Sequence, residues 1–329
     1  MKVLILSDGI PGHFNQSIGI AKILSEDLEI TYKIINSQFK LKVFRSISMQ
    51  IQKFFSRNFN FKSAKKIINL FHPIDLNTFD LIISTGRKVA YHSAALSMLH
   101  NIKNIHTGNI KYIDMKYFSA HITSMPVKKS PNNIVTVIPP TKFKPIPFSE
   151  KEKNKTVLFL LGGNGAGYVF KKNDWKNLIK NIKDMIRNHN ITPILVTSRR
   201  TNKKHEDFLF QELKNKVHKD SIWFHRAKKE LDLEKLFKTS HHIFVTEESI
   251  TMTAEAISSG LPVNTLFPVH SCPDNFFLKH LSEYENNGFI NRLDLKDSFK
   301  GFKYDPSISI KIDQIRHDLK AKILEKINL

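Results

Sequence analysis

Short apolar runs recur along the chain, and most end in a polar or glycine-bearing turn followed by helical spacing. Residues 2–6, Lys-Val-Leu-Ile-Leu, read as a buried strand entering Ser7-Asp8-Gly9-Ile10-Pro11-Gly12-His13. A helix is predicted from about Asn15 to Ser25, with Ile18, Ile20, Ala21, Ile23 and Leu24 apolar. Residues 30–35 and 79–84 are further strands, the latter ending at Thr85-Gly86-Arg87 before a helix through Ala94, Ala95, Leu96 and Leu99. Residues 102–107, 120–123 and 134–138 complete the strands of the first half. The rhythm restarts with a strand at 156–161, the turn Gly162-Gly163-Asn164-Gly165-Ala166-Gly167, and a helix from about Asp174 to His189. A strand at 193–196 runs into Thr197-Ser198-Arg199-Arg200-Thr201, and 222–224 and 231–238 read as a strand and a helix.

The clearest unit spans His241 to Phe267. Ile243-Phe244-Val245 is a buried strand, Thr246-Glu247-Glu248-Ser249 a polar loop, and Ile250 to Ser258 a helix. Gly260 stops the helix, Pro262 follows, and Val263 to Phe267 resumes as a strand. That order is a βαβ unit of a parallel sheet. The whole pattern predicts an α/β chain. Residues 139–155 combine four prolines with a charged run, which is a linker signature. The domains are therefore set at 1–145 and 146–310, with a C-terminal helix at 311–329 packing back on the first.

Strand-end loops of parallel sheets are where such folds bind ligands. The glycine turn allows close approach to phosphate. Arg199 and Arg200 can grip a diphosphate in fork geometry. Ser249 and the amides of the 249–251 turn, Thr251 included, suit a phosphate at a helix start. Glu247 and Glu255 can accept hydrogen bonds from sugar hydroxyls. The alternative leaves Glu247 and Glu248 as first-turn charges favoured by the helix dipole, with Glu255 facing solvent. Three loops of phosphate- or sugar-suited groups on one sheet edge point to a nucleotide-sugar site.

Composition adds constraints. Hydrophobic residues make up 41% of 329 residues, ample for two cores, and no run approaches a membrane span. The apolar start is too short for a signal peptide and reads as a strand. Cys272 is the one cysteine, so no internal disulfide forms, which fits a reducing cytoplasm. The 51 Lys+Arg against 30 Asp+Glu give a formal charge of +21, which draws polyanions, an anionic leaflet or phosphorylated substrates. Lys40, Lys42, Arg45, Lys53, Arg57, Lys62, Lys65 and Lys66 interleave with Phe44, Ile47, Ile51, Phe54 and Phe55. Segment 40–66 thus suits a membrane surface, or else a helical pair whose apolar face is core. No nucleic-acid motif or zinc spacing is present, and Ser249 lacks the G-x-S-x-G setting of a hydrolase. The expectation is no metal, no cofactor and no specific nucleic acid.

SDGIPGHFNQSIGIA, the Gly86-Arg87-Lys88 turn, LLGG, TSRRT and VTEESITMTAEAISSGLPV together resemble the ELM1 family over nearly the whole chain. That family includes plant mitochondrial fission factors and bacterial proteins regarded as glycosyltransferases, some from lipo-oligosaccharide outer-core clusters. The resemblance implies a GT-B-like fold, two Rossmann-like domains with parallel sheets facing a cleft. It implies a metal-independent transferase moving a sugar from a nucleotide-sugar, as substrate, to an anionic lipid-linked glycan. The setting would be lipopolysaccharide or lipo-oligosaccharide core assembly, cytoplasmic and peripheral at the inner face of the membrane. The alternative is a non-catalytic scaffold that keeps the shell. On this reading Gly162, Gly163, Ser198, Arg199, Arg200, Glu247, Ser249, Thr251 and Glu255 bind the donor. Gly12, Asn15, Gln16 and Arg87 bind the acceptor, and His13 with Asp8 is the general base.

Overall fold

The computed structural model describes residues 1–41, 43–44, 47–56, 58–127, 130–147, 155–227, 231–299 and 305–328. The apolar runs pair into two parallel sheets. The first contains β1 (Lys2–Ser7), β2 (Thr31–Asn36), β3 (Leu81–Thr85), β4 (Lys103–Thr107), β5 (Ala120–Thr123) and β6 (Asn133–Val135), in the order β2-β1-β3-β4-β5-β6. The second contains β7 (Thr156–Leu161), β8 (Thr192–Thr197), β9 (His242–Thr246), β10 (Val263–Phe267) and β11 (Asn291–Asp294), in the order β11-β10-β9-β7-β8. In both, the second strand lies on one side of the first and the third on the other. The strand order thus reverses between β1 and β3 and between β7 and β9, and such switch points open a crevice at the strand ends.

Continuous apolar runs suit these strands because both sheet faces are covered. Val3 and Ile5 pack with Ile20, Ala21 and Leu24 of α1 (Pro11–Leu24), whereas Leu4 and Leu6 pack with Val89 and Leu96 of α4 (Arg87–His100). Between these helices the chain forms α2 (Ser48–Ser56) and α3 (Phe61–Asn69). The second sheet carries α5 (Lys172–His189), α6 (Lys203–Leu213), α7 (Leu233–Thr239), α8 (Ile250–Ser258) and α9 (Asn275–Asn286), and α10 (Ser307–Ile327) ends the chain.

Two compact units result: Met1–Lys142 with Gln314–Leu329, and Phe143–Asp313. The end of α10 belongs to the first, with Leu319, Ile323 and Ile327 in the core beside β1 and β3. Its Arg316 Nε donates to Glu26 at 2.9 Å, and Lys320 pairs with Asp27 at 2.9 Å. The proline-rich stretch is anchored at Phe143 and Ile146. Phe143 is buried edge-on against Phe237, and the Ile146 amide donates to Ser259 at 2.7 Å. Residues 148–154 lie outside the described residues.

Several elements differ from the sequence expectation. Helix α1 begins at Pro11, four residues early, because a proline's fixed φ suits the first helical position. His13 therefore sits on a helical first turn and not on a loop. Residues 222–224 form no strand, only a single bridge from Ile222 to Val196. Side chains intercept the ladder there: the Phe224 amide donates to Thr197 Oγ1 at 2.7 Å, and the His225 amide to Glu206 at 3.0 Å. Helices α6 and α9 and strand β11 were not anticipated.

Of segment 40–66, Lys42, Arg45 and Arg57 lie outside the described residues. Helix α3 is amphipathic in the ordinary way, with Ala64 and Ile67 in a core containing Phe59, Phe71, Tyr91 and Ala94. Leu41, Val43, Ile47, Phe54 and Phe61 are nonetheless exposed, Phe54 at 74%. No helix of the described residues is long and apolar enough to cross a membrane.

Candidate active site

In the second unit β9, β7 and β8 are adjacent, so their three C-terminal turns meet along one edge. Direct hydrogen bonds join them. The Gly162 amide donates to Thr246 Oγ1 at 2.7 Å, tying the turns after β7 and β9. Thr201 Oγ1 donates to the Gly162 carbonyl at 2.7 Å, tying those after β7 and β8. Arg200 Nη1 donates to the Glu248 carbonyl at 2.6 Å, tying those after β8 and β9. Gly162 and Gly163 are required by contact: a Cβ would lie 1.6 Å from Glu248 Oε1 on the former and 2.2 Å from the Arg200 carbonyl on the latter.

The remaining glycines of that turn build a tight hairpin. Gly165 and Tyr168 exchange two backbone hydrogen bonds, with Ala166 and Gly167 at φ 49° and 83° between them. Positive φ at both central residues gives the primed turn that matches strand twist. The turn delivers Tyr168 into the interior.

There Tyr168 meets Glu247, and the expected role of Glu247 changes. The Glu247 carboxylate is wholly buried and accepts from Tyr168 Oη at 2.7 Å, Thr265 Oγ1 at 2.6 Å, and Arg292 Nε and Nη2 at 2.8 and 2.9 Å. With its lone pairs committed inward, it presents nothing to a sugar. Burial and the Glu247 carboxylate push the Tyr168 phenol up, and the Glu247 hydrogen bonds push the Arg292 guanidinium up. Arg200 is likewise partly spent: the same Nη1 that holds the Glu248 carbonyl lies 3.8 Å from the Glu248 carboxylate. Arg199 is exposed on the same turn.

Glu248 was read only as a helix charge, yet it is the unusual carboxyl of the site. Its side chain is buried, and neither oxygen has a hydrogen-bond partner of ordinary geometry among the described residues. Burial pushes it up to about 7, against the opposing pull of Thr246 and Arg200. No local signal singled it out: residues 247–248 lie past the end of β9, where strand alternation no longer applies, and both are buried.

Ser249 caps α8, its Oγ accepting from the Met252 amide at 3.4 Å. The first amides of α8 have no intrahelical acceptor, as at any helix start. Thr251 lies in that first turn, and Glu255 is on the same helix, buried. Ser198 Oγ accepts from the Arg200 amide at 3.2 Å, which shapes the turn after β8.

The switch point of the first unit holds a second cluster. His13 Nδ1 donates to Asp8 Oδ2 at 2.9 Å, the direction fixed because an ionised carboxylate only accepts. That tautomer leaves Nε2 as the basic nitrogen. Burial would raise the Asp8 carboxyl, but the hydrogen bond and charge of His13, with Lys88, hold it below its ordinary range. Gly86, at φ +94°, backs the ring so closely that a Cβ would lie 2.5 Å from His13 Nδ1.

Beside this pair opens a cavity of about 640 Å³, lined by Asp8, Gly9 and Ile10, by residues 36–40, and by Phe71, His72 and Lys88. Gly12, Asn15, Gln16 and Arg87, expected to bind the acceptor, are not among its lining residues. Gln16 instead meets Thr107 Oγ1 at 3.5 Å, and Arg87 is exposed at the start of α4.

Solved structures of similar fold include the spinosyn rhamnosyltransferase SpnG bound to spinosyn aglycone (TM-score 0.51, 10% identity, 100% of both chains). They also include S. aureus MnaA with UDP (0.51, 13% identity, 99% of this chain and 89% of that one). A third is the kitacinnamycin glycotransferase (0.50, 11% identity, 99% and 98%). At these identities the likeness concerns the fold, which is GT-B-like, with two Rossmann-like parallel-sheet domains. No curated protein matches the sequence. The sequence model of the mitochondrial fission ELM1 family does, over residues 11–306, and the chain belongs to that family.

Proposed function

We propose that the protein is a glycosyltransferase that moves a sugar from a nucleotide-sugar to a lipid-linked glycan in lipopolysaccharide or lipo-oligosaccharide core assembly. The observation that carries this reading is the His13–Asp8 pair at the first switch point. His13 Nε2 takes the proton of an acceptor hydroxyl, and Asp8 holds the tautomer and steadies the imidazolium. The acceptor oxygen bonds to the anomeric carbon as the bond to the nucleoside diphosphate breaks. In the second unit the amides at the start of α8, Ser249, Ser198 and Arg199 receive the diphosphate and its charge, with no metal required. Glu255 takes the ribose hydroxyls. The UDP held by the similar MnaA supports a nucleotide-bearing donor. The exposed apolar residues and lysines of segment 40–66 support work at the inner, anionic face of a membrane.

A second reading, a non-catalytic binding protein that keeps this shell, is favoured by one observation: Glu247 is sealed from any donor by Arg292 and Tyr168. One experiment separates the two. A deletion strain carrying the wild-type gene, no gene, or the His13→Ala variant has its lipid-linked glycans profiled. The transferase reading expects the same sugar to be missing without the gene and with His13→Ala. An unchanged profile in the deletion strain would overturn it, and full rescue by His13→Ala would favour the binding protein.

A further inference from the structure

The cavity beside the His13–Asp8 pair has a chemistry that its sequence motifs did not mark. Its volume, about 640 Å³, falls within the range of small-molecule sites, about 300–1,000 Å³. One wall is the chain leaving β2, where Asn36 and Gln38 bring exposed amide side chains. The floor is aromatic and fixed: Phe71 stacks on Phe39 at 4.3 Å and on His92 at 3.9 Å. His92 is held in turn by Ser37 Oγ, 2.8 Å from its Nδ1. Phe71 is thereby sandwiched, and the half-buried Phe39 is the aromatic side chain left at the cavity edge; amides beside it suit a sugar ring, whose hydroxyls bond outward while its C–H face meets the aromatic edge.

The charges in the lining decide which sugar. Lys40 and Lys88 both reach the cavity, and neither has a salt-bridge partner among the described residues. The one carboxylate in the lining, Asp8, is committed to His13 and to the Ile10 amide. The cavity therefore holds two cations against a single carboxylate, whose charge His13 and Lys88 already share. We propose that it binds a sugar bearing a phosphate or carboxylate, with Lys40 and Lys88 as the groups that select it. This rests on the transferase reading and names its acceptor: an acidic sugar seated with a hydroxyl toward His13.

The test measures binding of glucose 6-phosphate, glucuronate, glucose and inorganic phosphate to the full-length protein by calorimetry, with UDP measured separately. The expectation is that one or both acidic sugars bind and that glucose does not. Which of the two binds tells phosphate from carboxylate. Binding of inorganic phosphate as tight as that of either acidic sugar would remove the sugar from the claim and overturn it. Lys88→Gln and Lys40→Gln should each weaken the acidic sugar by about tenfold, the cost of one charge-assisted contact. Both should leave UDP affinity unchanged. Lys62→Gln, an exposed lysine of α3 outside the cavity, should leave sugar affinity unchanged. Equal binding of glucose, or equal loss with Lys62→Gln, would overturn the inference while leaving UDP binding and the transferase reading intact. Failure to bind UDP with acidic-sugar binding retained would strike the transferase reading, and with it the acceptor role, while leaving the acidic-sugar site and its lysines.

Discussion

Arg292 meets Glu247 fork to fork: Nε donates to Oε1 at 2.8 Å and Nη2 to Oε2 at 2.9 Å, with Tyr168 and Thr265 filling the remaining acceptor sites. The group ties the turn after β9 to Thr265 within β10, to Arg292 of β11 and to the hairpin after β7. It sets the frame on which the outer turns of the second unit are built.

Removing one partner strands a buried charge. Arg292→Met should therefore destabilise by about 3–5 kcal/mol. The double variant Glu247→Met/Arg292→Met should recover part of that loss, because no unpaired charge remains. Urea unfolding of the two single variants and the double measures the coupling. Additive losses would show that the pair is not the source of stability.

Glu248 makes a pH prediction. Its folded-state value, about 7, lies above the unfolded 4.5, so the folded protein holds the proton more tightly. Stability from that proton is fully present below about 4.5 and is lost as pH rises through about 7. Arg200 is the opposing charge that limits the loss. Glu248→Gln has no proton to lose. Its stability should exceed the wild type's by an amount that grows from pH 5 to pH 8, up to about 3 kcal/mol, read as a widening gap in melting temperature. Parallel melting curves across that range would refute it.

Gly86 should be intolerant of a side chain. At Gly86→Ala the new methyl meets His13 Nδ1 at 2.5 Å on a backbone of φ +94°. A stability loss of about 1 kcal/mol or more is expected, with transfer activity falling well over tenfold and UDP binding unchanged. Retained activity would mean that the ring position does not matter.

If segment 40–66 meets a membrane, Phe54 is its most exposed anchor. Phe54→Ser should weaken binding to vesicles containing phosphatidylglycerol by about tenfold or more, and added salt should weaken the wild type. Equal wild-type binding to neutral vesicles would count against the charge-directed part.

Most strands could be read in advance, because a strand covered on both faces must be apolar throughout and such runs stand out. Helix α3 was visible as amphipathic, yet not whether its apolar side met core or lipid, since both solvents select the same residues. Strand β11 stayed hidden because Asn291-Arg292-Leu293-Asp294 is a polar edge whose pairing with β10 comes from tertiary contact. The candidate site was legible in position and only partly in role.

The sequence by itself determined two runs of strand and helix, and the polar turns at their strand ends, since local periodicity and turn chemistry act over a few residues. It also placed Asp8 five residues before His13, close enough for a helical first turn to join them. Only the tertiary structure decided that both carboxylates are buried and which of them is paired. Glu247 and Glu248 are neighbours of identical chemistry. One is met fork to fork by Arg292, 45 residues on, and the other lies against Gly162, 86 residues back, with only Arg200 at 3.8 Å to oppose its charge. Tertiary structure likewise gathered Lys40, Phe71 and Lys88 around one cavity. Burial and long-range pairing set what a charged group can do, and neither is written in the residues beside it.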